Sequence, residues 1–398
     1  MEVLLGRIEP MSREIWLKAR VAGMILPIVL VLGGGAGSAA LAQTAPSAAS
    51  PQQQAPGNYD PTKPETQPNL SVDHDPVLSP DAADNMPQHP AVAAGAAASG
   101  KQLEKGQTGI YTLQENVNEV LLQCAVVDDK GNLVQGLTKN DFQVWEDGVP
   151  QTIASFQHQD VPVSLGILVD NSGSMLDKRT AVDAAALDLV RASNPDDSAF
   201  VVNFSDRAYL DQGFTNKISL LERGLSRFDS RGTTAMYDAV AASADELAKY
   251  AKQPKQVLLI ITDGADNASR LTLQQAIRKV QYLGGPVVYS IGLLYDDDPD
   301  EVQRARDALE TLSSETGGIA YFPGSLQDVG QIAQEVARDI RNQYTIGYHS
   351  TKPIDVGGFR TVHVEARASG HGRLIVRTRR GYYPRREQQI QRAVSDTQ

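Results

Sequence analysis

The chain has a single cysteine, Cys124, in 398 residues. No intrachain disulfide can form, so a disulfide-stapled fold is excluded. Positive charge is in deficit: 37 Lys and Arg stand against 48 Asp and Glu, a formal net charge of -11. Phosphate backbones are held by clustered Lys and Arg, and no nucleic-acid partner is expected. No histidine occurs between positions 161 and 342. A Ser-His triad is thereby excluded from that stretch. A P-loop, a Gly-x-Gly-x-x-Gly turn and a nucleophile elbow around Ser172 are also missing. There is no internal repeat.

The N-terminus lacks a long apolar run. Arg13, Lys18 and Arg20 precede an apolar stretch over 21–32, and small residues follow up to Ala40-Leu41-Ala42. The stretch is short of the ~20 residues of a spanning helix. A basic region, an apolar region and an A-x-A-like site describe a secretory signal over 1–42, cut after Ala42. The expectation is a secreted or periplasmic protein. The alternative is a retained membrane anchor, because the Gly/Ala-rich stretch extends the run. No cysteine follows the small residues, so lipid attachment at a new N-terminal cysteine is not available.

What is present changes along the chain. Residues 43–104 are rich in Ala, Pro, Gln, Ser and Asp and have no sustained apolar period. Such a stretch cannot bury enough surface to offset chain entropy and reads as a disordered linker, with His74 and His89 as solvated residues. Residues 105–160 carry β signals, with apolar 120–127 and alternating 142–146. Cys124 lies in the first and reads as a buried apolar residue. From 161 to 342 strands and helices alternate. Strands are predicted at 163–169, 199–204, 256–262, 286–292 and 318–322. Helices are predicted at 179–192, 236–252, 273–283, 299–315 and 326–340. The alternation predicts an α/β fold, a doubly wound, mostly parallel sheet with helices on both faces. Residues 343–385 return to β signals at 344–348, 361–366 and 374–378, which would complete a small β-sandwich begun before the α/β domain. A polar tail covers 386–398.

The chemistry is concentrated after the first predicted strand of the α/β domain, in Asp170-Asn171-Ser172-Gly173-Ser174-Met175. One carboxylate and two hydroxyls stand at alternate positions and can face one side. Taken alone, an Asx-turn and helix N-cap explain the same residues. Ligands in such sheets bind beyond the carboxyl ends of the strands. There Thr234, before a predicted helix, and Asp263, after a predicted strand, can join them. Two carboxylates and three hydroxyls are hard oxygen donors suited to Mg²⁺, Mn²⁺ or Ca²⁺ and unsuited to zinc or copper. Gly173 and Gly264 are expected to let their loops bend closely around the ion. Asp206 is expected to turn the chain, Asp238 to support a helix start, and Asp266-Asn267 to be solvated. In the acidic run 296–301, Asp298 reads as an N-cap and Pro299 as the first helical position. A second cation site or a specificity loop is the alternative for that run.

Asp170-x-Ser172-x-Ser174, then Thr234, then Asp263 resembles the metal-ion-dependent adhesion site of von Willebrand factor type A domains. The segments 232–239 and 260–264 look like that family's second and third motifs, and the resemblance covers about 161–342. It implies a Rossmann-like fold and direct coordination by Ser172, Ser174 and Thr234. Asp170 and Asp263 would bind directly or through water. It implies a divalent cation, Mg²⁺ first, and a protein ligand offering an Asp or Glu carboxylate. The flanks 136–148, 344–348 and 381–383 resemble those of secreted bacterial proteins with such a domain. The resulting expectation is a protein-binding module and no enzyme. A metal-stabilised envelope scaffold is the first alternative and a metal-assisted hydrolase the second.

Overall fold

The computed structural model describes residues 68–72 and 119–384, apart from 159, 193, 228–229, 283 and 295–297. The predicted signal, most of the linker, the polar tail, His74, His89 and Asp296-Asp297 lie outside these residues.

Seven strands form one sheet: β1 (Ser71–Val72), β6 (Val163–Asp170), β7 (Ser198–Phe204), β8 (Ala208–Thr215), β9 (Lys255–Thr262), β10 (Val287–Gly292) and β11 (Ala320–Tyr321). Their order is β1-β8-β7-β6-β9-β10-β11. β7, β6, β9, β10 and β11 run parallel, and β8 pairs antiparallel with β7. Every residue of β6 and β10 is buried, as strands covered on both faces must be. Side chains alternate between the faces. Val163, Leu165, Ile167 and Val169 enter one core with α1 (Arg179–Arg191), α2 (Ile218–Leu225) and α6 (Val329–Arg341). Leu168, Leu258 and Ile260 enter the other core. Its helices are α3 (Met236–Tyr250), α4 (Leu273–Tyr282) and α5 (Pro299–Thr316). The predicted doubly wound α/β sheet is therefore present. Gly166 sits where strands and side chains crowd: a Cβ there would lie 2.5 Å from Phe200 and 2.6 Å from Leu258.

Three features escape the sequence expectations. Ser71–Val72, inside the predicted disordered linker, forms the edge strand β1 and pairs parallel with β8. β8 and α2 occupy a stretch that carries no predicted element, and the strand predicted at 318–322 shrinks to Ala320–Tyr321. α5 begins as predicted: Asp298 is the N-cap, its carboxylate accepts from the Asp300 amide at 2.9 Å, and Pro299 opens the helix.

The flanking segments pair with each other. β2 (Glu119–Val127), β5 (Ile153–Gln157), β12 (Tyr344–His349) and β14 (Ile375–Arg377) form a sheet in the order β14-β2-β12-β5. β3 (Phe142–Glu146), β4 (Val149–Gln151), β13 (Arg360–Ala366) and β15 (Gly381–Tyr382) form a second, in the order β15-β13-β3-β4. Their inner faces share one core containing Leu122, Cys124, Phe142, Val144, Tyr344 and Val364. Burial pushes the Cys124 thiol up to about 12, so it behaves as the apolar residue expected. β5 and β12 are neighbours in the sheet, and all of the α/β unit except the edge strand β1 lies between them in the chain.

Among the described residues, no helix is long and apolar enough to cross a membrane.

Candidate metal centre

β6 delivers Asp170 to the carboxyl edge of the sheet. The chain then tightens into a short 3-10 turn, Gly173–Met175, with Met175 driven fully into the core as its anchor. The Asp170 carboxylate is completely buried. Its Oδ1 accepts from the Ser172 amide at 2.8 Å, and its Oδ2 accepts from the Thr262 hydroxyl at 2.6 Å. Burial raises its pKa to about 6, against the pull of these hydrogen bonds. A carboxylate held this way gains from a nearby positive charge.

The Asx-turn half of the simpler reading is therefore real, through Asp170 and the Ser172 amide. The N-cap half is not. Ser172 stands at the N-cap position of the turn but makes no side-chain cap. Its hydroxyl lies 3.2 Å from the Ser174 hydroxyl, which in turn donates to Asp263 Oδ1 at 2.8 Å. A continuous row of oxygens, Ser172–Ser174–Asp263, bridges two loops 89 positions apart in sequence. Thr262, the last residue of β9, donates to Asp170 from the next strand.

Thr234 arrives differently. Its loop turns at Gly232, whose φ of +90° lies in the left-handed region. Two sets of bonds hold its backbone. The Thr234 amide donates to Asn267 Oδ1 at 2.8 Å, and its carbonyl accepts from the amides of Asn267 and Ala268. Next to it, the Ala235 amide donates to the Ser205 carbonyl at 2.6 Å. Thr234 is buried and tied to the Asp263 loop through its backbone, while the hydrogen-bonded row is made by Ser172, Ser174 and Asp263.

Several expectations are corrected. Gly173 and Gly264 have ordinary φ values and room for a Cβ, the nearest atom being 3.9 Å away at Gly173 and none lying within 4 Å at Gly264. The glycine that the backbone requires is Gly232. Asn267 is exposed, as expected, and Asp266 is half-buried, but both side chains are also bonded to neighbouring loops. Asp266 accepts from the Tyr237 amide and from the amide and hydroxyl of Ser269, and Asn267 clamps Thr234. Burial raises the pKa of Asp266. Asp238 does more than open α3, because its carboxylate accepts from the amides of Arg270 and Leu271. Asp206 lies in the turn between β7 and β8, as expected.

Three further residues of the site went unread in the sequence. Thr262 braces Asp170. Lys178 donates to Asp263 Oδ2 at 2.8 Å, with both groups buried. Arg179, 1% exposed, reaches the Asp170 carbonyl at 3.3 Å and pairs with Asp183 at 2.9 Å. A signal for the last two existed. Lys and Arg at a helix N-terminus oppose the helix dipole, and α1 opens on both.

The donors fit a hard divalent cation. They are all oxygens, those of Asp170, Ser172, Ser174 and Asp263 meet at one strand edge, and two of them are buried carboxylates. The open space beside Gly264 leaves the Asp263 loop uncrowded.

Residues 165–265 match the family model of the von Willebrand factor type A domain. All five predicted ligands fall inside that match. The structure is also similar to solved structures that share this description or occur in pili. One is the von Willebrand factor type A protein from Catenulispora acidiphila (15% identity, 62% of this chain and 74% of that one, TM-score 0.39). Another is the PilB minor pilin from Streptococcus sanguinis (14% identity, 46% of this chain, TM-score 0.39). This chain spans 62% of the pilin's length. A third is the vWF domain of the type V pili tip protein Mfa5 from Porphyromonas gingivalis (11% identity, 46% of this chain and 95% of that one, TM-score 0.38). The fold of the matched segment rests on the topology described above. No curated protein matches the chain.

Proposed function

We propose that this is an exported protein-binding module with no enzymatic role. In it Asp170, Ser172, Ser174, Thr234 and Asp263 hold a divalent cation, Mg²⁺ first and Mn²⁺ or Ca²⁺ as alternatives. An acidic residue of a protein partner completes the site. The observation that carries this reading is the row Ser172–Ser174–Asp263. Its hydroxyls turn toward a carboxylate on another loop instead of capping the adjacent turn. A bound divalent cation would supply Lewis acidity toward a partner's Asp or Glu. The chain's own residues fix that position. Thr262 and the Ser172 amide orient Asp170, and Asn267 fixes the backbone of Thr234.

The test is a pull-down from the native envelope with Mg²⁺ against chelator, using wild type, Asp170→Ala and Thr234→Ala, with circular dichroism to check folding. Partner capture should require Mg²⁺ and be lost in both variants. Equal capture by the variants, or capture that persists in chelator, overturns the reading. The burial of Asp170 favours a second reading, in which the cation only stabilises a scaffold. In that case chelator lowers the melting temperature and capture persists. A phosphatase and esterase screen with Mg²⁺ addresses the hydrolase alternative. The signal segment bears on export: its removal is read from the N-terminal sequence of the mature protein, and a retained anchor would leave the protein in the membrane fraction.

A further inference from the structure

The candidate site contains a positive charge of its own. Lys178 stands at the start of α1, 8% exposed, and its ammonium lies 2.8 Å from Asp263 Oδ2. The other oxygen of Asp263 accepts from Ser174. One carboxylate thus faces the hydroxyl row with one oxygen and a lysine with the other. Arg179, the next residue, is matched by Asp183. Lys178 opposes the charge of Asp263, and Asp170 adds a second carboxylate beside Ser172.

Resting on the cation site proposed above, we infer that Lys178 sets the ligand demand of that site. Two unopposed carboxylates would neutralise a divalent cation and leave little attraction for an outside anion. With Asp263 shared by Lys178, one positive charge remains in a buried setting where Coulomb forces are strong. An anion from outside would cancel it. Lys178 then weakens the hold on the metal and strengthens the hold on the ligand's carboxylate. It is a positioning and specificity residue acting through Asp263.

The opposed signs make the inference testable without the native partner. Mn²⁺ serves as the metal probe, read by electron paramagnetic resonance. Acetate serves as the carboxylate probe, read by the fall in water-proton relaxation as it displaces water from the bound Mn²⁺. The full chain is compared as wild type, Lys178→Met, Lys178→Arg and Asp170→Ala. Lys178→Met should bind Mn²⁺ about tenfold more tightly and acetate about tenfold more weakly, a modest share of the Coulomb energy of a nearby buried charge. Lys178→Arg, which keeps the charge, should stay near wild type in both. Mn²⁺ affinity that is unchanged or weaker in Lys178→Met overturns the inference and leaves the site intact. Tighter Mn²⁺ with unchanged acetate overturns the ligand half of it. If wild type binds Mn²⁺ no better than Asp170→Ala, the site reading itself falls, and this inference with it. Circular dichroism checks each variant for folding. A misfolded Lys178→Met passes the same test to Lys178→Gln, read by the same two probes.

Discussion

The two edges of the seven-stranded sheet bury charge in opposite ways. At the amino edge, where the α/β layers meet the sandwich, charges are matched within the chain. Arg377 of β14 binds Asp339 of α6 at 2.6 Å. Tyr289 donates to the other oxygen of Asp339 at 2.5 Å and accepts from Gln343 at 2.9 Å. Arg341 spans Asp160 and Asp197, and Lys255 donates to the Ile340 carbonyl. At the carboxyl edge Lys178 pairs with Asp263, while Asp170 is held by the Ser172 amide and the Thr262 hydroxyl. Buried charge is costly unless paired. The amino edge meets most of that cost with partners of its own, Lys255 excepted. The carboxyl edge holds Asp170 with neutral donors, an arrangement that fits the cation site proposed above.

That contrast can be broken by removing one charge at each edge. Arg377→Met strands Asp339, which is almost fully buried, and should cost about 3 kcal/mol of stability, read by urea denaturation. Removing both partners, as Arg377→Met with Asp339→Leu, should recover a large part. Asp170→Asn at the carboxyl edge, in chelator, should leave stability unchanged or raise it. Asparagine keeps the acceptor for the Ser172 amide, and the buried charge disappears. If Asp170→Asn instead destabilises as much as Arg377→Met, the two edges are energetically alike and the contrast is lost.

Lys255 sharpens the comparison through pH. It is 2% exposed, and burial lowers its pKa to about 8, with Asp160 and Asp339 pulling it upward. The folded value lies below the ordinary 10.5, so between the two the unfolded chain binds more protons than the folded one. Stability must then rise with pH across that window, and the contribution is absent below about pH 8. Wild type should gain about 1 kcal/mol per pH unit relative to Lys255→Met over this interval. Parallel pH profiles of the two proteins, from denaturation at each pH, would show that Lys255 titrates as an exposed lysine does.

The same contrast explains what could be read in advance. β6, β9 and β10 are short apolar runs, and strands covered on both faces have no other way to look. β8 was hidden because Asp211 and Gln212 interrupt its pattern. The fold buries Asp211 against Asn203, whose side-chain amide donates to it at 2.6 Å, and the neighbouring strand that allows this is a property of topology. The five ligand candidates were legible because each sits in a local loop motif. Lys178 and Thr262 were not, because their partners lie 85 and 92 positions away. The bonds that Asp266 and Asn267 make were hidden for the same reason: the Tyr237 and Thr234 amides they satisfy lie 29 and 33 positions earlier in the chain.

The smallest expected effect discriminates most finely. Ser172 is the residue on which an ordinary turn and a ligand loop make different demands. As an N-cap, its loss to alanine would cost about 1 kcal/mol of stability and leave cation binding alone. Its hydroxyl instead faces Ser174 and caps nothing. Ser172→Ala should therefore change stability in chelator by less than about 0.5 kcal/mol. It should weaken Mn²⁺ binding about tenfold, equivalent to roughly 1.4 kcal/mol, and isothermal titration calorimetry can read the difference. Destabilisation with intact affinity would return the loop to a plain turn, and the carboxyl edge would then have no more claim to an outside ligand than the amino edge has.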